Sequence, residues 1–117
     1  MKYLPDGIKF IKRDPFYDGN DIKANELLKS FAKIIKSKYY LLCHATCPFL
    51  KISTISNLIN NFDESKNDSA FTCKMHKTFL WDNDKPLNFS LNNIPRTQDM
   101  KPFYIENVGA YLYSYNE

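Results

Sequence analysis

Glycine is scarce in this 117-residue chain, which has only Gly7, Gly19 and Gly109. Loops that cradle phosphate through bare backbone need glycines close together, so a Walker loop and a dinucleotide fingerprint are both excluded. No apolar run approaches the roughly 20 residues of a membrane-spanning helix. The opening stretch MKYLPDGIKF lacks the apolar segment of a secretory signal, and a soluble cytoplasmic protein is the expectation. Cysteine is low and odd in number: Cys43, Cys47 and Cys73. An odd count favours reduced thiols over a disulfide framework. A zinc set can be written from Cys43, Cys47, Cys73 and His76, but a proline-bounded turn interrupts its first half, and buried inert thiols are the stronger reading. Neither histidine has a nucleophile in motif context, so no Ser-His-Asp arrangement is defensible. Charge of one sign is also lacking: the formal net charge is +3. The lysines are scattered, with no basic-aromatic interleaving of the RNA-binding kind.

What is present is an ordinary globular composition, 44% hydrophobic and 25% charged, with an aromatic share of 15%. That length suits a single domain with a modest core. Gly7 to Lys12 reads as a short strand by alternation, and Arg13 to Asn20 as a loop rich in turn formers. Asp21 to Ser37 is the clearest helix. Ile22, Leu27, Leu28, Phe31, Ile34 and Ile35 fall on one face, with Asn20 or Asp21 as cap. Tyr39 to Ala45 is continuously apolar up to His44, the pattern of a strand buried on both faces in a parallel sheet. Ile52 to Phe62 is a second helix, and Ser69 to Met75 a third strand. The order is therefore β-α-β-α-β. His76 to Ser90 reads as a hairpin turning at Asp82 to Pro86. Leu91 to Pro102 is a polar loop, and Phe103 to Asn116 a final aromatic strand.

Two stretches carry candidate chemistry. HATCPFL, from His44 to Leu50, lies where a strand hands over to a helix. Ligands of open α/β sheets bind outside the carboxyl ends of strands. Short side chains there admit a ligand to the backbone, and Pro48 stiffens the turn. The second stretch, IPRTQDMKPFYIEN, gathers Arg96, Gln98, Asp99, Glu106 and Asn107. Arginine pairs with carboxylate or phosphate, and carboxamides both donate to and accept from sugar hydroxyls.

YLLCHATCPFL resembles the LLQPTSPLR-type segment of the acylneuraminate cytidylyltransferases, the CMP-sialic acid synthetase family. KPLNFSLNNIPRTQDMKPFYIENVGAYLY resembles that family's later block, and FIKRDPFYDGNDI its segment with an arginine before a helix. The resemblance implies a Rossmann-like three-layer αβα nucleotidyltransferase fold, represented in part. It implies a single, apparently truncated cytidylyltransferase-like domain over residues 1–117, its hairpin and loop forming a dimerisation segment. The implied reaction joins CTP to a nine-carbon acidic sugar, releasing pyrophosphate, with Mg2+ supplied by ligands outside this chain. A homodimer is implied too, with neither nucleic acid nor membrane as partner. Residue by residue, Arg13 matches an arginine near the cytosine. His44 stands where the family has glutamine, Thr46 and Pro48 match its threonine and proline, and Cys47 replaces its serine. These make Arg13, His44, Thr46 and Cys47 the nucleotide contacts. Arg96, Gln98, Asn107 and Tyr111 match the sugar side of the site. No catalytic residue is assigned.

The family's basic Ser/Gly phosphate loop and its late aspartate motif have no counterpart between residues 1 and 117. Two expectations therefore stand side by side. One is a CTP-dependent sugar-activating transferase. The other is an inactive partial domain that binds a nucleotide-sugar or assembles with itself.

Overall fold

The computed structural model describes residues 4–115. The chain divides into two compact units, Met1–Ser37 and Lys38–Glu117. In the first, Asp14 accepts the Phe16 N–H at 2.8 Å and so caps a 3-10 helix, Pro15–Asp18. The helix α1 runs over Ala24–Ile34. It begins later than the sequence predicts, and neither Asn20 nor Asp21 caps it. The backbone is still extended at Lys23, whose N–H is accepted by the Glu26 carboxylate at 2.9 Å. An acceptor three residues inside the helix thus replaces a cap from outside it.

The strand expected at Gly7 to Lys12 does not form. Gly7 takes a left-handed φ of +86°, and Ile8 and Phe10 remain exposed. Within this unit, no strand forms among the described residues to cover the apolar stripe of α1. Only Ala32 is buried, while Phe31, Ile34 and Ile35 stay exposed. They line an open cavity of about 770 Å³ with Leu4, Phe10 and Tyr17.

The second unit is a mixed helix and sheet structure. Strand β1, Tyr39–Cys43, leads to α2, Ile52–Asn60, and then to β2, Ser69–His76. A hairpin of β3, Trp81–Asp82, and β4, Lys85–Pro86, precedes the long β5, Phe103–Ser114. The main sheet has the order β1-β5-β2. Both pairings are antiparallel, with Leu41 opposite Leu112 and Phe71 opposite Tyr111. The parallel neighbours expected from sequence are absent from the described residues. β1 and β2 do run parallel to each other, but β5 lies between them. A continuously apolar strand fits either a buried parallel position or a sheet edge, and here it forms an edge. The expectation that β1 is buried on both faces therefore fails: Tyr39 and Leu41 are exposed and Tyr40 is buried.

The core is thin. Tyr40, Met100, Ala110 and Leu112 are its buried apolar members in this unit, joined by one buried polar side chain, Thr72. α2 packs against β2 and β5. On the opposite face Tyr40 stacks on Tyr113, with ring centroids 5.4 Å apart. Burial raises the Tyr113 phenol above its ordinary value, with Tyr40 adding to it. The hairpin has its own apolar cluster, with Phe89 edge-on to both Phe79 and Trp81. Asn88 ties its base, accepting the Leu80 N–H and donating to the Thr78 carbonyl, each at 2.8 Å. Asn83 turns it with φ at +51°, a conformation asparagine tolerates better than most residues.

The register of β2 on β5 breaks at Thr72. Phe71 faces Tyr111 and Cys73 faces Glu106. Thr72 alone on β2 therefore spans Asn107, Val108, Gly109 and Ala110 on β5, a bulge larger than the usual two residues against one. Its hydroxyl accepts the Ala110 N–H at 3.0 Å and donates to Asn107 Oδ1 at 2.6 Å. Thr72→Val keeps the shape but orphans a buried N–H. A loss of about 1–3 kcal/mol is expected in denaturant unfolding, and Thr72→Ser restores most of it.

The link after α2 is held by charge. Asp63 accepts from Ser65 and Lys66, and Glu64 accepts from Lys38 at 2.6 Å. The Lys66 ammonium, then Ser65, holds the Asp63 carboxyl below its usual value, and Lys38, then Tyr39, does the same for Glu64. A lowered folded pKa stabilises above the unfolded carboxylate value, and the contribution is lost as pH falls through the folded one. The melting temperature is therefore expected to fall as the pH drops below about 4, and the double substitution of Asp63→Asn with Glu64→Gln should flatten that acid limb.

Candidate functional site

The turn after β1 is built by the bulge of β5. The His44 N–H donates to the Gly109 carbonyl at 3.2 Å, extending the ladder by one bond. The chain then closes two tight turns, Cys47 N–H to the His44 carbonyl at 3.0 Å and Leu50 N–H to the Cys47 carbonyl at 3.2 Å. Pro48 holds φ between them. The Cys47 thiol lies against the bulge, 3.8 Å from the Asn107 carbonyl and 3.6 Å from that of Val108. Val108 itself takes φ at +55°, a strained choice for a β-branched residue.

Between turn and bulge lies a cavity of about 420 Å³, lined by Thr46, Cys47, Lys51, Thr54, Asn107 and Gly109 among others. α2 begins at its rim. Lys51 is the residue before the helix, has no side-chain cap, and no acid occupies the first turn. Lysine at the positive end of a helix opposes the macrodipole. The orphan N–H groups and the ammonium thus place positive potential at one end of the cavity.

Asn107 is oriented by the protein. Its Oδ1 accepts from Thr72 and, at 3.1 Å, from the Gly109 N–H. The carboxamide N–H groups are therefore its remaining polar edge. Gly109 is required by space rather than by φ. A Cβ there would lie 2.9 Å from Thr72 Oγ1, 3.1 Å from Asn107 Oδ1 and 3.3 Å from Leu50 Cδ1.

His44 packs edge-on to Tyr111, with centroids 5.6 Å apart. The Tyr111 hydroxyl donates to the Glu106 carboxylate. That bond, then burial, raises the phenol above its ordinary value and keeps it a donor. The sequence candidates His44, Thr46, Cys47, Asn107 and Tyr111 are thus gathered around one turn and one bulge.

The remaining candidates are not part of the cavity lining. Arg13 belongs to the first unit, where its Nε donates to Asp18 at 2.9 Å. Arg96 and Gln98 flank and occupy a 3-10 helix, Thr97–Asp99, and neither lines the cavity. Arg96 donates to Asp99 at 2.7 Å, and the Gln98 carbonyl accepts from Lys77 at 2.6 Å. The thiols are not the buried, inert set expected from sequence. Cys43 and Cys73 are exposed and Cys47 is half-buried. Among the described residues no three His, Cys, Asp or Glu side chains converge on a metal-sized site, and no helix is long and apolar enough to cross a membrane.

Three contributors escape a reading by sequence: Lys51, Thr54 and Thr72. Only Lys51 carried a local signal, a cation where helix electrostatics favours an acid. Comparison with family models, curated proteins and solved structures finds no match to this chain.

Gly109→Ala forces a methyl group into the Thr72 and Asn107 contacts. A stability loss of about 1–3 kcal/mol is expected from overpacking. The same change should loosen the turn, read as faster amide exchange at His44, whose N–H is held by the residue 109 carbonyl.

Proposed function

We propose that this chain binds a cytidine nucleotide at the turn between β1 and α2, as part of a CTP-dependent transferase of the acylneuraminate cytidylyltransferase type. The observation that carries the reading is the uncapped positive end of α2 at the rim of a cavity shared by Thr46, Lys51 and Asn107. An anionic group set there receives helix N–H donors, the Lys51 ammonium and the Thr46 hydroxyl at once. The opposite wall, from Asn107, offers carboxamide donors suited to hydroxyl or carbonyl oxygens of a sugar or base. His44 and Tyr111 flank the turn with flat rings. The β1-α2-β2 connection joins two strands of like direction, as the β-α-β order of the resemblance implies, while the antiparallel β5 between them departs from a Rossmann-like sheet.

In this reading the residues bind and orient. The nine-carbon acidic sugar would lie toward Asn107 and Tyr111, with Arg96 and Gln98 serving a site completed by a second copy. Mg2+ is implied by the resemblance, but the cavity lining holds no carboxylate. These residues do not fit the ion, and no step is assigned through it. The same poverty of acids favours a second reading, a module that binds the nucleotide-sugar without turning it over. A cytoplasmic setting goes with either reading.

Thermal unfolding with magnesium and each nucleotide tests the proposal. A ligand that binds only the folded chain raises its stability by mass action, by about 2.7 kcal/mol at a hundredfold excess over Kd. CTP is expected to raise the melting temperature while ATP, GTP and UTP do not. Lys51→Met and Thr46→Val should each shrink the CTP shift and leave the ligand-free transition in place. An equal rise with every nucleotide, or none with CTP, overturns the reading. Release of pyrophosphate on adding a nine-carbon acidic sugar separates the transferase from the binding module.

A further inference from the structure

β1 is an edge strand whose outer side is unusually open to pairing. The Lys38 carbonyl and the His44 N–H both bond to β5, the former to the Tyr115 N–H at 3.1 Å. Even-numbered residues therefore direct their backbone groups inward. By the alternation of an antiparallel ladder, the groups of Tyr39, Leu41 and Cys43 point outward. No backbone group among the described residues pairs with them. The edge also lacks the features that protect such strands. Residues 39–43 contain no charge, no proline and no bulge, whereas the other edge strand, β2, carries Lys74 and the break at Thr72.

The outward set is symmetric about Leu41. We infer that β1 pairs with β1 of a second copy of this chain, antiparallel and centred on Leu41, joining two three-stranded sheets into one. A twofold axis at Leu41 sets Leu41 against its own copy and Tyr39 against Cys43. In that register each outward residue meets an outward residue, so every exposed N–H and C=O of the three finds a partner. A one-residue slip would instead oppose outward to inward groups. The side chains agree with the backbone. Leu41 is 40% exposed and Tyr39 37%, and they border a groove of about 410 Å³ with Ile59, Phe62 and Leu112. A twofold partner brings its own Leu41 and Cys43 to the same face, over the mouth of that groove. The flanking Lys38 is held by Glu64, which limits repulsion at the ends of the pairing.

This inference is independent of nucleotide binding, since the β1 edge and the cavity at Thr46 are different surfaces. It is tested by light scattering over a concentration series, without ligand. The native chain is expected to pass from monomer to dimer as concentration rises. Leu41→Lys sets two ammonium groups against each other across the axis, and Leu41→Glu two carboxylates, so each alone should lose the dimer. Mixed in equal amounts, the two variants should recover it as a heterodimer. Recovery shows that both variants are folded and that position 41 meets itself. A native chain that stays monomeric throughout overturns the inference, as does a dimer that survives Leu41→Lys or a mixture that does not associate.

Discussion

The Thr72 hydroxyl bonds on which the second unit depends occupy very little space. One buried side chain accepts the Ala110 N–H and donates to Asn107, and so holds open a bulge of four residues on β5. A ladder cannot skip backbone groups without a substitute partner, because a buried N–H left unpaired costs more than the bond is worth when made. Thr72 supplies that substitute. The bulge then presents the Gly109 carbonyl to His44 and the Asn107 and Val108 carbonyls to Cys47. The turn after β1 takes its shape from this contact.

The consequence is a site assembled from two segments far apart in sequence. The turn has Pro48 and two short backbone bonds, and the bulge has a strained valine and a glycine with no room for a methyl group. Pressed together they enclose the cavity, with the positive end of α2 at its rim. Strain at Val108 persists because Thr72, Asn107 and Gly109 over-determine the backbone around it. The pocket is polar at one end and lacks acids, a combination suited to an anion with a flat polar group attached.

The thinness of the core has a matching consequence at the surface. So small a sheet buries few side chains, and both flanking strands keep apolar side chains in water, Leu41 on β1 and Phe71 on β2 among them. On β2 the register break and Lys74 disturb the edge. On β1 nothing among the described residues does. That difference makes β1 the surface from which association is argued. In the first unit the same shortage appears as the open stripe of α1, where no strand forms to cover it.

Much of the local structure was legible in the order of residues. Both helices, the strands at Tyr39, Ser69 and Phe103, and the hairpin turn at Asp82 to Pro86 follow from periodicity and turn chemistry, which act over a few neighbours. The grouping of His44, Thr46 and Cys47 was legible for the same reason, since they share one turn. Strand direction and order were not. An apolar run such as YYLLC looks alike at the centre of a parallel sheet and at an antiparallel edge, and only pairing with β5 decides between them. The strand expected at Gly7 to Lys12 failed because alternation is necessary for a strand but a partner is what makes one. Asn107 and Tyr111 joined the turn, while Arg96 and Gln98 did not, because the pairing of β1 with β5 sets His44 opposite Gly109, beside the register break between Phe71 and Cys73 that bulges β5. That break rests on hydrogen bonds between residues 35 and 38 positions apart. No local pattern encodes such bonds, so the elements were set by the sequence itself, and the site by the tertiary pairing that brought them into contact.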